Sequence, residues 1–140
     1  MRRFAFTLLE LVIVLTLVGL LMGLAAPRFS AMRDGASVRA AVADLAAEFS
    51  MARQSAIARR VAVAVVLDTT TCTVELRSAA GSTMRRQLSA LYGIVLRSNR
   101  DSTVYDSRGI GYGVSNLTVT VRRGSIVDTL TMSRLGRLRW

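Results

Sequence analysis

One carboxylate stands inside an apolar stretch near the start of the sequence. Between Phe6 and Ala26 the only charged residue is Glu10. An ionised carboxylate in lipid costs about 2 to 3 kcal/mol or more, so charged residues inside such stretches usually serve a function. We therefore expect Glu10 to favour states in which a neighbouring cationic group reaches it. The alternative is a carboxylate near the lipid headgroups that stays solvated or protonated.

A second group of candidate residues is basic and lies near the other end of the sequence. Arg137 and Arg139 are separated by one apolar residue, and on a strand such a pair projects to the same side, where both could reach phosphates. Three further arginines could join the patch, namely Arg134, and Arg122 and Arg123 in a predicted hairpin turn. Trp140 could stack on a base.

The same C-terminal residues also have a structural interpretation. Gly136 would make a turn, Leu138 would enter the core, and the arginine pair would only solvate an edge strand. The overall charge leaves both interpretations open. Residues 77–140 hold eleven Arg and three acidic residues, and such an excess suggests an acidic partner, such as nucleic acid, phospholipid headgroups or another subunit. A solvated basic surface is the alternative.

The residues that usually carry catalysis are sparse. The sequence has no His, which is the commonest general base and a common metal ligand, and its carboxylates show no close pair. Gly109, Gly111 and Gly113 lack the strand-to-helix context and the lysine of a phosphate-binding loop. The single cysteine, Cys72, is predicted to be a packed thiol within a strand. We therefore predict no enzyme activity, cofactor, metal site or small-molecule substrate.

The elements that position these residues begin with a membrane segment. An apolar run from Phe6 to Ala26 is about long enough for a helix to cross a bilayer of roughly 30 Å. Arg2 and Arg3 favour a cytoplasmic start, which places residues 28–140 outside the cytoplasm. A cleaved secretory signal is the alternative, and Glu10 argues against it.

An amphipathic helix is predicted after this segment, over residues 28–60. Proline removes a backbone donor, so Pro27 should end or kink the preceding helix. Apolar residues then recur at three- and four-residue steps, which predicts one buried face. They are Val38, Val42, Leu45, Phe49, Ala52 and Ala56.

The rest of the chain, residues 61–140, predicts an antiparallel β domain. β-Branched and alternating stretches suggest strands over Val61–Leu67, Thr71–Leu76, Met84–Leu88, Ile94–Arg97, Leu117–Arg122 and Ile126–Met132. Two stretches rich in Ser, Asn, Asp and Gly are predicted loops, Ser98–Ser102 and Ser107–Gly113. The predicted fold class is therefore α+β, with a long N-terminal helix packed on a C-terminal antiparallel sheet.

The run FTLLELVIV from Phe6, after a short basic leader, resembles the signature of type IV pilins and type II secretion pseudopilins. The resemblance implies a leader at residues 1–5 and an assembly helix at residues 6–27. It also implies that prepilin peptidase cleaves between Ala5 and Phe6 and methylates the new amine of Phe6. In that family Glu10 would act in assembly as a charge partner for such an amine.

Looser motifs resemble the GspH/FimT group of minor pilins and pseudopilins. They are MARQSAIARR from Met51, YDSRGIGYG from Tyr105 and SRLGRLRW from Ser133. The resemblance implies a single-pass subunit of the bacterial inner membrane, with its C-terminal domain periplasmic, that assembles with other pilins or pseudopilins into a type IV pilus or type II secretion pseudopilus.

Two other functions remain open for a chain with these motifs. Some FimT-type members bind DNA through a C-terminal Gly-Arg-x-Arg motif, which is matched here by residues 136–139. DNA uptake is therefore an alternative function. A membrane-anchored β domain that never polymerises is the third.

Overall fold

The structure is a computed structural model that describes residues 7–112, 116–133 and 135–140. The predictions for Ala5, Phe6 and Arg134 lie outside these residues. The chain divides into two compact units, Met1–Arg33 and Asp34–Trp140. Helix α1, Leu8–Arg59, contributes residues to both units.

Helix α1 continues through Pro27, so the proline does not end it. In the second unit the predicted buried face is confirmed, since Val42, Leu45 and Phe49 are fully buried. The helix stops where Arg60 adopts a left-handed conformation with φ of 53°. The N–H of Val61 then donates to the carbonyl of Ala56 (3.2 Å), which satisfies one of the last helical carbonyls.

Nine strands follow in the described part of the chain. They are β1 Val63–Asp68, β2 Thr73–Ser78, β3 Gly81–Gln87, β4 Val95–Ser98, β5 Ser102–Tyr105, β6 Gly111–Tyr112, β7 Leu117–Arg123, β8 Ile126–Met132 and β9 Leu138–Arg139. A short helix α2, Leu88–Tyr92, separates β3 from β4. All the strand pairs are antiparallel.

The strands form two sheets rather than the single sheet that was predicted. One has the order β3-β2-β1-β5-β6 and the other β4-β7-β8-β9. The chain leaves the first sheet at α2, which the sequence analysis assigned in part to a strand ending at Leu88. Gly93 follows with φ of 62°, a conformation that side chains disfavour, and it redirects the chain into β4.

Three other local predictions were wrong. Cys72 is not in a strand but in the turn before β2, with φ of 52°, although its thiol is buried as expected. Ser102 begins β5, and Gly111 begins β6, within stretches predicted to be loops. These strands are two to four residues long and are defined by backbone pairing with β1 and β5, so their side chains show little periodicity.

The core contains one face of α1 and the inward residues of both sheets, among them Val65, Val119 and Leu130. An ionic cluster also ties α1 to β3. The guanidinium of Arg86 donates to Asp44 (2.9 Å) and to the buried Glu48 (3.3 Å). This helix packed on antiparallel strands confirms the predicted α+β class.

Candidate assembly helix and basic sheet face

The large apolar side chains described in the first unit, from Leu8 to Met32, are exposed. Leu8 is 83% exposed and Leu24 is 71% exposed, and none of the most apolar 18-residue window of α1 is buried within the protein. By length and composition this helix is sufficient to cross a membrane. The exposed apolar surface therefore fits a lipid environment or contact with other helices.

Thr7 caps the start of this helix. Its hydroxyl accepts a hydrogen bond from the N–H of Glu10 (3.2 Å), and its carbonyl accepts one from Leu11 (3.2 Å). A threonine followed three residues later by glutamate is the sequence pattern of a helix N-terminus, because two unpaired backbone donors can be satisfied there. This role of Thr7 was not predicted, although the pattern is visible in the sequence.

Glu10 lies in the first turn of α1 and its residue is exposed. A negative charge there interacts favourably with the helix dipole, by about 0.3 to 1 kcal/mol at exposed sites. Within the described residues no cation forms a salt bridge with this carboxylate. The side chain is therefore positioned at the helix start and turned outward, where a group of another chain can reach it.

The second candidate site is the outward face of the four-stranded sheet, which we call the basic face. Side chains alternate along each strand, and the ladder register places one set away from the core. That set consists of Val95, Arg97, Thr118, Thr120, Arg122, Val127, Thr129, Thr131 and Arg139. It includes three arginines and no acidic residue.

Two of the arginines named from the sequence meet at one end of this face. Arg137, just before β9, and Arg139, within it, are both exposed and line a groove of about 540 Å³ with Thr118 and Thr131. A second groove of about 480 Å³ lies farther along the face, with Arg122 in its wall.

Arg97 also lines the second groove, and the sequence analysis did not select it. It pairs with Thr120 across the ladder, and Thr120 pairs with Thr129. Its position on the face depends on the pairing of β4 with β7, two strands that are not consecutive in the chain. Only the alternation of Val95 and Arg97 around the buried Leu96 could have suggested an outward position.

Arg123 also lines the second groove, but its guanidinium is bound by residues of α1. It is the last residue of β7 and pairs with Ile126, so the turn contains only Gly124 and Ser125. Its guanidinium donates to Asp34 (2.8 Å) and to Ser37 (3.0 Å), and it also contacts the carbonyl of Tyr92. Neighbouring residues on a strand face opposite ways, which separates Arg123 from Arg122.

The geometry before β9 combines parts of both interpretations of the C-terminal motif. Gly136 is buried in a turn with φ of 72°, and a Cβ there would lie 3.0 Å from the Tyr105 ring. Leu138 packs against the core. The structural roles of Gly136 and Leu138 are therefore those expected, and they leave the two neighbouring guanidinium groups exposed together.

Neither region has the composition of a metal site. In residues 7–112, 116–133 and 135–140, no three His, Cys, Asp or Glu side chains come together as metal ligands. The chemistry available at the two regions is an outward carboxylate on an apolar helix and a set of arginine donors with threonine hydroxyls.

Comparison with known proteins gives one family match. The family model described as type II transport protein GspH matches residues 41–136. No curated protein matches the chain by sequence.

Three solved structures share the fold at low sequence identity. A crystal structure of the type IV minor pilin FimU of Pseudomonas aeruginosa PAO1 superposes with a TM-score of 0.63 at 15% identity, covering 73% of this chain and 86% of that chain. A second crystal form of FimU gives 0.60 at 14% identity, with 72% and 90% covered. The minor pseudopilin EpsH from the type 2 secretion system of Vibrio cholerae gives 0.60 at 14% identity, with 74% and 94% covered.

Proposed function

The chain belongs to the family of the type II transport protein GspH, and from that membership we propose that it is a minor pilin or pseudopilin that joins a filament through its N-terminal helix. The family is one of structural subunits that assemble with other pilins or pseudopilins. The filament would be a type II secretion pseudopilus or a type IV pilus.

The observation that carries this proposal is the exposed apolar helix with one outward carboxylate near its start. Apolar residues from Leu8 to Leu24 present a surface that needs lipid or other helices around it. Glu10 would then be costly in lipid unless a cation reached it. Assembly supplies such a cation when the amine of one subunit meets Glu10 of the next.

Processing at the membrane completes the proposal. Arg2 and Arg3 would hold the leader on the cytoplasmic side, where prepilin peptidase would cleave between Ala5 and Phe6 and methylate Phe6. The domain of residues 28–140 would lie in the periplasm. The inner membrane, the peptidase and the other subunits of the filament are the expected partners.

Substitution of Glu10 tests the assembly role. Glu10→Ala should reduce incorporation into filaments by tenfold or more, because the amine of the neighbouring subunit would then lie among apolar helices without its charge partner, at a cost of about 2 to 3 kcal/mol. The protein should still insert in the membrane and still begin at Phe6 by N-terminal sequencing. Thr16→Ala is the matched control, since Thr16 is another exposed polar residue of the same segment.

Incorporation of Glu10→Ala at the level of the unsubstituted protein would contradict the assembly role of this residue. An uncut bond between Ala5 and Phe6 in cells would instead favour a membrane-anchored domain that never polymerises.

A second candidate function, DNA binding during uptake, is favoured by the basic face. Arg97, Arg122, Arg137 and Arg139 line two grooves on one side of the four-stranded sheet. Arginine donates bidentate hydrogen bonds to phosphate, and threonine hydroxyls also contact phosphate oxygens. Such a surface would bind the nucleic acid backbone with little dependence on sequence.

Binding of the full chain in detergent to labelled DNA, measured at several salt concentrations, tests this candidate. Affinity should fall as salt rises, and the double substitution Arg137→Ala with Arg139→Ala should weaken binding and lower the salt slope by about one to two. Arg59→Ala is the control, because this exposed arginine at the end of α1 is not part of the face. Binding that is absent, or unchanged in the double variant, would remove the DNA candidate.

A further inference from the structure

A cavity in the second unit lies between α1 and the C-terminal residues, and it adjoins the basic face because Arg137 lines both. Its volume is about 490 Å³, which is within the range of natural ligand pockets. We call it the Arg53 pocket. The residues of its wall that matter here are Arg53, Gln54, Ile57, Tyr105, Arg137 and Trp140.

Arg53 lies in this wall with part of its guanidinium unpaired. Its Nε atom is buried and forms no hydrogen bond in the described part of the chain. Arg53 therefore keeps hydrogen-bonding capacity that its neighbours in the described residues do not satisfy. The neighbouring Tyr105 does not supply a negative charge, because burial raises the pKa of its hydroxyl to about 12.

A second guanidinium, that of Arg137, lines the same cavity. Neither Arg53 nor Arg137 makes a salt bridge within residues 7–112, 116–133 and 135–140. None of the side chains lining the cavity is acidic. The pocket therefore has two cationic donors and an amide, that of Gln54, and no acidic side chain in its wall.

The remaining wall is apolar and partly open to solvent. Trp140 is 66% exposed and Ile57 is 47% exposed, while Phe49 closes the cavity from the core side. Exposed tryptophan beside arginine is the composition found at the energetic centres of protein interfaces. A small anion would contact the arginines but leave these apolar side chains uncovered.

We propose that the Arg53 pocket docks an acidic, apolar segment of a neighbouring protein subunit, with the carboxylate of an Asp or Glu side chain on Arg53 and Arg137 and an adjoining apolar side chain against Trp140 and Ile57. This inference rests on the proposed function, because it assigns the pocket to a contact within the filament. Charge complementarity and the apolar wall together favour a peptide over a phosphate backbone, which would occupy the basic face.

The protein contains its own reporter for this pocket, since Trp140 is the only tryptophan in the sequence. The probe is a synthetic peptide with Glu between two Leu residues, titrated into the full chain in detergent while the Trp140 emission is recorded. Its counterpart with Gln in place of Glu is the matched ligand control. The Glu peptide should shift the emission saturably and bind about fivefold more tightly than the Gln peptide.

Each of two single substitutions in the pocket should weaken binding of the Glu peptide. Arg53→Gln and Arg137→Gln should each reduce the affinity for the Glu peptide by about fivefold and have little effect on the Gln peptide. Arg59→Gln, a substitution on the same helix outside the pocket, should leave both affinities unchanged. Circular dichroism of each variant separates a loss of binding from a loss of folding.

Three results would overturn the proposal. The first is equal binding of the Glu and Gln peptides. The second is binding of 3-phenylpropionate as tight as that of the Glu peptide. The third is displacement of the peptide by an oligonucleotide from a pocket that also fails to distinguish the Glu peptide from the Gln peptide. The second would make the pocket a small-molecule site, and the third would assign it to nucleic acid.

A cellular experiment separates failure of this proposal from failure of the proposed function. Arg53→Gln should still yield a protein that begins at Phe6 but should enter filaments about fivefold less well. Normal cleavage with normal incorporation would overturn the docking proposal alone. An absence of the unsubstituted protein from any filament would overturn both.

Discussion

Tyr105 carries its hydroxyl into the centre of the second unit, where the side chain is fully buried. The hydroxyl donates to the sulfur of Met132 (3.0 Å), which is a weak acceptor. Burial raises the pKa of this tyrosine to about 12, from an ordinary value of 10.0, while nearby Arg53 acts in the opposite direction. The folded protein therefore holds the phenol neutral where an unfolded chain would ionise it.

A loss of stability at alkaline pH follows from this difference. Above pH 10 the unfolded chain releases the proton of Tyr105 and the folded protein retains it, so the free energy of unfolding falls as pH rises from about 10 to about 12. The loss should reach about 1.4 kcal/mol by pH 11. Urea unfolding of the protein and of Tyr105→Phe at pH 9, 10 and 11 measures it.

The variant Tyr105→Phe should not show this fall in the free energy of unfolding at alkaline pH. It keeps every other titrating group, including Tyr92, whose pKa is also raised by burial and by its contact with Asp44. If both proteins lost the same free energy between pH 9 and pH 11, Tyr105 would not be the group responsible.

Arg122 and Arg123, at the end of β7, show how far the position of a single residue could be predicted from the sequence. The strand pattern placed Arg122 and Arg123 near a hairpin turn. Which guanidinium faces the core depends on strand register, because a shift of one residue reverses every side chain. The partner of Arg123, Asp34, is 89 residues away in the sequence, and no local pattern could identify it.

At the scale of elements, the tip of the β7–β8 hairpin is bonded to α1. Arg123 reaches Asp34 and Ser37 on the helix, and its side chain is only 23% exposed. Gly124 allows the close approach, since a Cβ at this position would lie 2.7 Å from a carboxylate oxygen of Asp34, and its φ is 57°. The hairpin and the helix are thus joined by a charge-assisted contact as well as by apolar packing.

A double-mutant cycle measures how strongly this contact joins the two elements. Arg123→Ala and Asp34→Ala should each destabilise the protein by about 1 to 3 kcal/mol, because each leaves a partly buried group unpaired. Their coupling energy should be about 1 kcal/mol or more, as expected for a charged hydrogen bond. The value is obtained from urea unfolding of the four proteins.

The ion pair between Arg108 and Asp106 is the comparison, since the Arg108 side chain is 77% exposed. Solvent screens such a pair, so its coupling should be smaller. A coupling between Arg123 and Asp34 no larger than this would show that the hairpin is held by apolar packing alone.

The elements that were predicted correctly have long, regular patterns. The buried face of α1 follows from apolar residues at three- and four-residue steps, and β7 and β8 follow from alternation on either side of Gly124. Helix α2 and strands β5 and β6 are five residues long or shorter, so they complete no readable period. The division into two sheets depends on which strands pair, which is decided by packing on α1 and by the turn at Gly93.

At the scale of the whole molecule, the buried apolar residues of the described ranges all lie between Val38 and Met132. They belong to the second compact unit, Asp34–Trp140, whereas the large apolar residues described in the first unit, from Leu8 to Met32, are exposed. The hydrophobic contribution to folding therefore comes from the second unit, and the first unit presents apolar surface for lipid or other subunits.

Residues 34–140 should therefore fold without the first unit. A truncated chain of these residues should remain soluble without detergent and unfold in one cooperative transition, with a midpoint within a few degrees of that of the full chain in detergent. Circular dichroism during heating provides the measurement. A truncated chain that lacked a cooperative transition would show that residues before Asp34 are needed to stabilise the core.

The contact between Asp34 and Arg123 has a mechanical consequence for a subunit that bears tension. Asp34 is the first residue of the second unit, so a force applied along α1 from its N-terminal end meets this contact before it meets the apolar face around Phe49. Part of the load would pass through the Arg123 guanidinium into the β7–β8 hairpin. Mechanical failure would then begin as separation of the hairpin tip from the helix, and the core would yield only afterwards.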